Sequence, residues 1–285
     1  MIYIIIINLL IVFLEAKLVI YLTDGPIEKI GPRLYKKELL TNEYKDPIEL
    51  AYDSATRNLF FMYMDDELLN SGRAYINIIT KESKKIKGIK RNKATAIDSE
   101  TGQIYFGSND GLYVYDPLTN SAENIGLYNV DVFKIVIRDN QMYIIDGNNH
   151  MIYKVFGKKV SKLGNAKTVI NFDIDGERNV HFVTMCGVFC ALNGNEIVKN
   201  KDINIAYNFI IDNNKTYAIT DEGILEINCY NGTAYKVADL NFHPRSIIFG
   251  DYGDIFYSSD DNIYRLKPIT SYVLYNLSRK QRNKT

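Results

Sequence analysis

The chain has 285 residues, with 34 basic side chains balanced by 34 acidic ones, so no net field draws it to nucleic acid or to an anionic membrane. Tyr and Phe number 22 and 13 while Trp is absent, which suits a strand-rich core whose aromatic rings fill the gaps between sheets.

The first residues, MIYIIIINLLIVFLEA, form an apolar run that ends at Ala16. They read as a signal peptide over residues 1–16, with Lys17 opening the mature chain, although the usual positive n-region is missing and Leu14 is bulky for its place three before the cut. A signal anchor is the alternative, but the run falls short of the roughly 20 residues a membrane span needs. Residues 17–268 form the body of the protein, and 269–285, which end in SRKQRNKT, read as a partly disordered C-terminal extension.

Six times the body repeats an apolar triplet, an Asp or polar turn, an aromatic strand, a second turn and another short strand. The copies are LAYDSATRNLFFMY from Leu50, TAIDSETGQIYFGSNDGLYVYD from Thr95, IVIRDNQMYIIDGNNHMIYKV from Ile135, FDIDGERNVHFVTMCGVFCAL from Phe172, FIIDNNKTYAITDEGILEIN from Phe209 and IIFGDYGDIFYSSDDNIYRLK from Ile247. Aligned, they place Phe60, Tyr105, Tyr143, His181, Tyr217 and Phe256 in one column, at steps of roughly 36 to 45 residues, the spacing of propeller blades. The fold class is therefore all-β: a six-bladed β-propeller with four antiparallel strands per blade. One such blade cannot bury both of its faces alone, so the copies pack radially around a channel. Before the first copy, PRLYKKELL has the spacing of an outermost strand, so Arg33–Leu40 is expected to complete the last blade and remove an open sheet edge. The C-terminal SYVLYNL, Ser271 to Leu277, offers a competing closure.

The turns between second and third strands carry Asn109-Asp110-Gly111, Asn148-Asn149, Asp221-Glu222-Gly223 and Asp260-Asp261-Asn262. Such residues tolerate left-handed backbone, and they lack the spaced oxygen ligands of a calcium loop, so they read as plain turns. Four sequons, at Asn214, Asn231, Asn276 and Asn283, mark candidate glycosylation sites, and Asn231 lies in the turn CYNGT. Together with the leader they point to secretion. Of the three cysteines, Cys186 and Cys190 flank one hairpin turn and do not face each other across it, while Cys229 belongs to the next blade; no disulfide is assigned. His181 sits in the aromatic column as a core residue would, and with so few ligands nearby no metal and no cofactor is called for.

At the start of the innermost strands, polar and aromatic side chains gather at the channel mouth: Glu49, Phe133, Lys134, Asn171, Tyr207, Asn208 and, in the loop before the sixth copy, Arg245. The next position in each blade is nearly all apolar. Convergent polar groups on an apolar wall describe a small-molecule site. Phe133 and Tyr207 suit stacking on a planar ring, and Lys134 and Arg245 suit a carboxylate.

The phrases LAYDSATRNLFFMY, AIDSETGQIYFGSNDGLYVYD, DEGILEIN and FYSSDDNIYRLKP resemble the insect ommochrome-binding proteins, from about Pro32 to Pro268. That resemblance implies a secreted, soluble haemolymph protein that binds planar phenoxazinone pigments carrying amino-acid side chains, acting as a monomer and without catalysis. A second reading is a metal-dependent lactonase of the gluconolactonase and senescence-marker class, whose metal is held by one Glu, two Asn and one Asp. Glu49, Asn171 and Asn208 fall in the right region for it. Arg245, however, stands where the acidic ligand is wanted, and Lys45-Asp46-Pro47 replaces that family's Glu-Gly-Pro. A third reading is a protein-binding propeller whose longer first hairpin loop, residues 65–72, presents Leu68 and Leu69 to a partner.

Overall fold

The computed structural model describes residues 25–64, 71–89, 91–193, 196–212 and 215–269. The leader, Leu68 and Leu69, the sequons at Asn214, Asn276 and Asn283, and the competing closure at 271–277 lie outside those residues.

Six antiparallel sheets make the six-bladed propeller; in five of them the strands run in chain order from the centre outward, and in the sixth an N-terminal segment takes the outer places. The innermost strands are Lys45–Asp53, Asn92–Ile97, Val132–Arg138, Val169–Ile174, Asn208–Asp212 and Ser246–Phe249. The repeat column survives as a register: Ala51 pairs with Phe60, Ala96 with Tyr105, Val136 with Tyr143, Asp173 with His181, Ile210 with Tyr217 and Ile248 with Phe256. Blade four alone breaks the apolar–aromatic rule, on both strands at once.

Each blade is apolar on both faces because both faces meet a neighbour. The buried side chains accordingly fall into six clusters, one per seam: Leu59 and Phe61 pack with Phe256 and Ile263 between blades one and six, for example, and Ile219 and Ile224 with Tyr257 and Leu266 between blades five and six. The hairpin glycines serve this packing. Gly223 has φ 120° and its missing Cβ would stand 2.2 Å from the Ala238 carbonyl oxygen, so any side chain there collides with the adjacent strand.

The ring closes through the N-terminal segment as expected. Strand Arg33–Thr41 pairs antiparallel with Asn262–Pro268, the third strand of the sixth blade, with Lys37 opposite Leu266. Sequence reading missed one element. Ile27–Ile30 folds back on Arg33–Lys36 and gives this blade a fifth strand; IEKI is too short and too polar to stand out as a strand without its partner. No α-helix occurs among the described residues, and none of their helices is long and apolar enough to cross a membrane.

The cysteine reading needs correction. Cys190 and Cys229 form a disulfide across the seam of blades four and five, with Cα atoms 5.6 Å apart, while Cys186 is free and exposed. In a propeller the third strand of one blade faces the next blade, so a partner 39 residues away is a spatial neighbour.

Candidate functional site

Most of the innermost strands are irregular at their first residues, and the irregularity shapes the mouth. Register shifts fall between Asn92 and Ala94, Val132 and Lys134, and Val169 and Asn171, leaving Lys93, Phe133 and Ile170 as unpaired bulge residues. The first blade has two such shifts, and Glu49 lies within the second, between Ile48 and Ala51, at φ 51°. Bulges of this kind re-aim side chains near sites. In the sixth blade the residue level with this tier is Ser246, paired with Ser258, rather than Ile247.

The sequence-selected residues engage one another across the blades. Lys134 Nζ lies 3.3 Å from Glu49 Oε2, joining blade three to blade one. Asn171 donates from Nδ2 to the Tyr207 carbonyl oxygen at 3.0 Å and to Asn208 Oδ1 at 3.3 Å. Asn208 Nδ2 in turn donates to the Ile247 carbonyl oxygen at 3.0 Å. Arg245 Nη2 lies 2.5 Å from Asp46 Oδ1 and ties the loop before blade six to blade one. Tyr207 is half-exposed and its hydroxyl donates to Asp221, whose carboxylate pushes the phenol above its ordinary range. Phe133 meets His150 edge-to-face at 5.9 Å. No described contact joins Phe133 or Arg245 to the asparagine pair.

Two further groups escaped sequence reading. Arg73, on the third strand of blade one, is 1% exposed. It donates from Nη2 to the Ala94 carbonyl oxygen at 2.9 Å and from Nη1 to Thr95 Oγ1, lies 5.0 Å from the Phe106 ring centroid, and keeps Nε without a partner. Burial pulls it down to about 9 against the opposing charge of Glu49, so it remains a cation at neutral pH. Nothing in SGRAYIN distinguishes it from a solvated strand residue. Deeper along the inner strands, Asp173 Oδ1 lies 3.5 Å from Arg138 Nη2. Burial raises the Asp173 carboxyl, and the Arg138 charge only partly offsets this.

In the seam of blades four and five, His181 is buried and its Nε2 lies 3.0 Å from Asp175 Oδ2 and 3.1 Å from Thr216 Oγ1, with Nδ1 unpartnered. Its ring and the sulfurs of Cys190 and Cys229 come within 4.8 Å of one another, but the sulfurs are bonded to each other and offer no thiolate. Burial raises Asp175, yet hydrogen bonds from His181, Asn179 and the Asn179 backbone N–H outweigh it and hold the carboxyl below its ordinary range. A depressed acid contributes stability that is present above its unfolded pKa of about 3.9 and is lost as pH falls through the lower folded value. Asp175→Asn is therefore expected to lose stability at neutral pH and to show a shallower decline below about pH 4. Urea midpoints measured from pH 7 to pH 2 check it; an unchanged acid limb would show that other carboxylates govern it.

Asn231 is exposed at the tip of its turn, where its Oδ1 accepts from the Thr233 backbone N–H at 3.1 Å. Two clefts open between blades. The larger, about 610 Å³, lies between blades five and six, and one of about 450 Å³ lies between blades one and two; neither is lined by the mouth residues.

No protein-family profile matches the chain. Known structures of the same shape include a gluconolactonase from Xanthomonas campestris, 10% identical over 86% of this chain and 97% of that one with a TM-score of 0.66. A calcium-binding regucalcin from Agrobacterium tumefaciens is 12% identical over 81% and 93% of the two chains, with a TM-score of 0.58. At such identities the likeness is one of fold. In sequence, the ommochrome-binding protein of Manduca sexta is 25% identical over 257 residues, 84% of this chain and 90% of that protein. This alignment, over nearly the whole propeller, relates the chain to the ommochrome-binding protein.

Proposed function

We propose that the protein is a secreted carrier that binds a planar, carboxylated aromatic pigment of the ommochrome kind reversibly and without chemistry. The alignment with the Manduca sexta protein over 257 residues carries this reading. Two cations stand at the mouth, Lys134 against Glu49 and Arg245 against Asp46, and each could turn to a ligand carboxylate. The proposed contacts are Phe133 and Tyr207 to the ring, Lys134 and Arg245 to the carboxylate, and Glu49, Asn171 and Asn208 to the polar rim. The disulfide between blades, the exposed Asn231 and the apolar leader support an extracellular, haemolymph-like setting.

The alternative, lactone hydrolysis on a divalent metal, draws on the fold neighbours, and the residues at the mouth do not fit the metal. Glu49 is engaged by Lys134, the two asparagines by each other and by backbone, and Arg245 brings a guanidinium where a fourth, acidic ligand is required.

Absorption spectroscopy of protein from its native fluid tests the reading directly, followed by titration with xanthommatin. Tyr207→Ala is expected to weaken binding about tenfold, from lost stacking and burial together. Arg245→Glu is expected to weaken a carboxylated ligand more than its decarboxylated analogue. Equal affinity of wild type and both variants would remove the mouth as the site. Chelator-sensitive lactonase activity abolished by Glu49→Gln would replace the carrier with the enzyme.

A further inference from the structure

The cleft between blades five and six differs in kind from its counterpart between blades one and two. The smaller cleft is edged by Asp53, Asp116 and Thr101, groups already spent on turn hydrogen bonds, and no Lys or Arg lines it. At the ring closure the extra strand Ile27–Ile30 and the turn leading into Arg33 add a wall that no other seam possesses. The result is a space of about 610 Å³, within the range that takes a drug-sized ligand.

Its lining is selective. Tyr35 is buried at its base, Tyr217 and Phe249 are half-buried on its sides, and Tyr252 stands at its rim 90% exposed. Tyr252 occupies left-handed backbone, φ 56° and ψ 22°, a conformation that favours Asn or Gly and is uncommon for a bulky aromatic. The turn is held there by its neighbour Asp251, whose carboxylate pairs with Arg57 of blade one at 2.5 Å and accepts from the Tyr52 hydroxyl at 3.4 Å. An exposed aromatic residue held beside a cavity on left-handed backbone is poorly explained by folding alone. Arg33 is exposed beside it and makes no ion pair among the described residues; its Nη1 lies 3.5 Å from where a Cβ on Gly253 would stand. Asp212 lines the cleft as well and disfavours an anion beside it.

We propose that this cleft is a second binding site, separate from the channel mouth, for a planar aromatic carboxylate whose ring packs among Tyr217, Phe249 and Tyr252 and whose carboxylate meets Arg33. The site is made by the ring closure, so it exists only in the closed propeller. Its chemistry stands whether or not a pigment occupies the mouth.

Calorimetric titration of the full chain with 2-naphthoate, beside the neutral 2-naphthylmethanol, tests the site. Tyr252→Asn keeps a residue suited to the left-handed turn and removes the ring; it is expected to weaken both probes about tenfold. Arg33→Glu is expected to weaken naphthoate at least tenfold and to leave the neutral probe nearly unchanged. Naphthoate is also of the class proposed for the mouth, so each titration is repeated in the Arg245→Glu background, which weakens the mouth alone; the cleft's share of naphthoate binding is expected to persist there and to be lost when Arg33→Glu is added. Failure of naphthoate to bind the wild-type chain, or binding that ignores Tyr252→Asn and Arg33→Glu, overturns the site. Naphthoate binding lost in Arg245→Glu but kept in Tyr252→Asn does so too, and leaves the pigment reading at the mouth intact.

Discussion

Cys229→Ala is expected to lower the stability of the folded chain by about 4 kcal/mol. The bridged residues are 39 apart in sequence, and closing a loop of that length removes roughly this much conformational freedom from the unfolded chain in the loop-entropy account. Both bridged residues are buried, Cys190 to 4% and Cys229 to 6% exposure, so the variant also leaves an unoccupied space beside the unpartnered Nδ1 of His181. For a chain of this size the loss corresponds to a fall in melting temperature of about 10 °C. Alkylation of the native, unreduced protein gives the companion measurement: one label, on exposed Cys186. Three labels, or a melting temperature unmoved by the substitution, would show that the two blades are not covalently joined.

What the sequence revealed and what it hid follow from the distance over which each feature is encoded. The aromatic column was legible because each ring sits at a fixed offset from its own turn, and the turn, the ring and its strand partner are all local. His181 was correctly placed in the core on the same grounds. The partner of Arg33–Thr41 was legible too, since a propeller with an unpaired last strand leaves an open edge. By contrast, nothing local tells Cys190 that Cys229 lies opposite, because that contact depends on how far one blade is rotated against the next. Arg73 is hidden for the same reason: its acceptors, Ala94 and Thr95, belong to the neighbouring blade. The pairing of Lys134 with Glu49 and of Asn171 with Asn208 was not legible either. Lys134 and Glu49 meet across the channel, and only the bulges around Glu49 decide where its carboxylate points. The large cleft was invisible because its walls come from Arg33 and Tyr252, which are distant in sequence and are brought together by closure of the ring.

Beside the closing strand, blade six carries an ion pair that is nearly buried. Arg265, on the third strand of blade six, donates from Nε to Asp254 Oδ2 at 2.7 Å and places Nη2 2.5 Å from the same oxygen, the two side chains being 13% and 8% exposed. Glu38, on the closing strand, is the next carboxylate, 4.0 Å from Arg265 Nη1. Removing one partner of such a pair strands the other charge out of water, whereas replacing both with apolar groups does not. Asp254→Ala is therefore expected to cost about 3 to 5 kcal/mol, and Asp254→Ala with Arg265→Met is expected to recover most of it. Denaturant midpoints of the wild type, the two single variants and the double variant measure the coupling. Because Asp254 also ends the turn that carries Tyr252, the single variant should weaken naphthoate in the cleft at denaturant concentrations where the fold is still intact. The mouth, held by Lys134–Glu49 and Asn171–Asn208, should keep its ligand under the same conditions. A single-variant loss of under about 1 kcal/mol, the worth of a solvated pair, would mean that water reaches the pair and that it does not brace blade six beneath the closing strand.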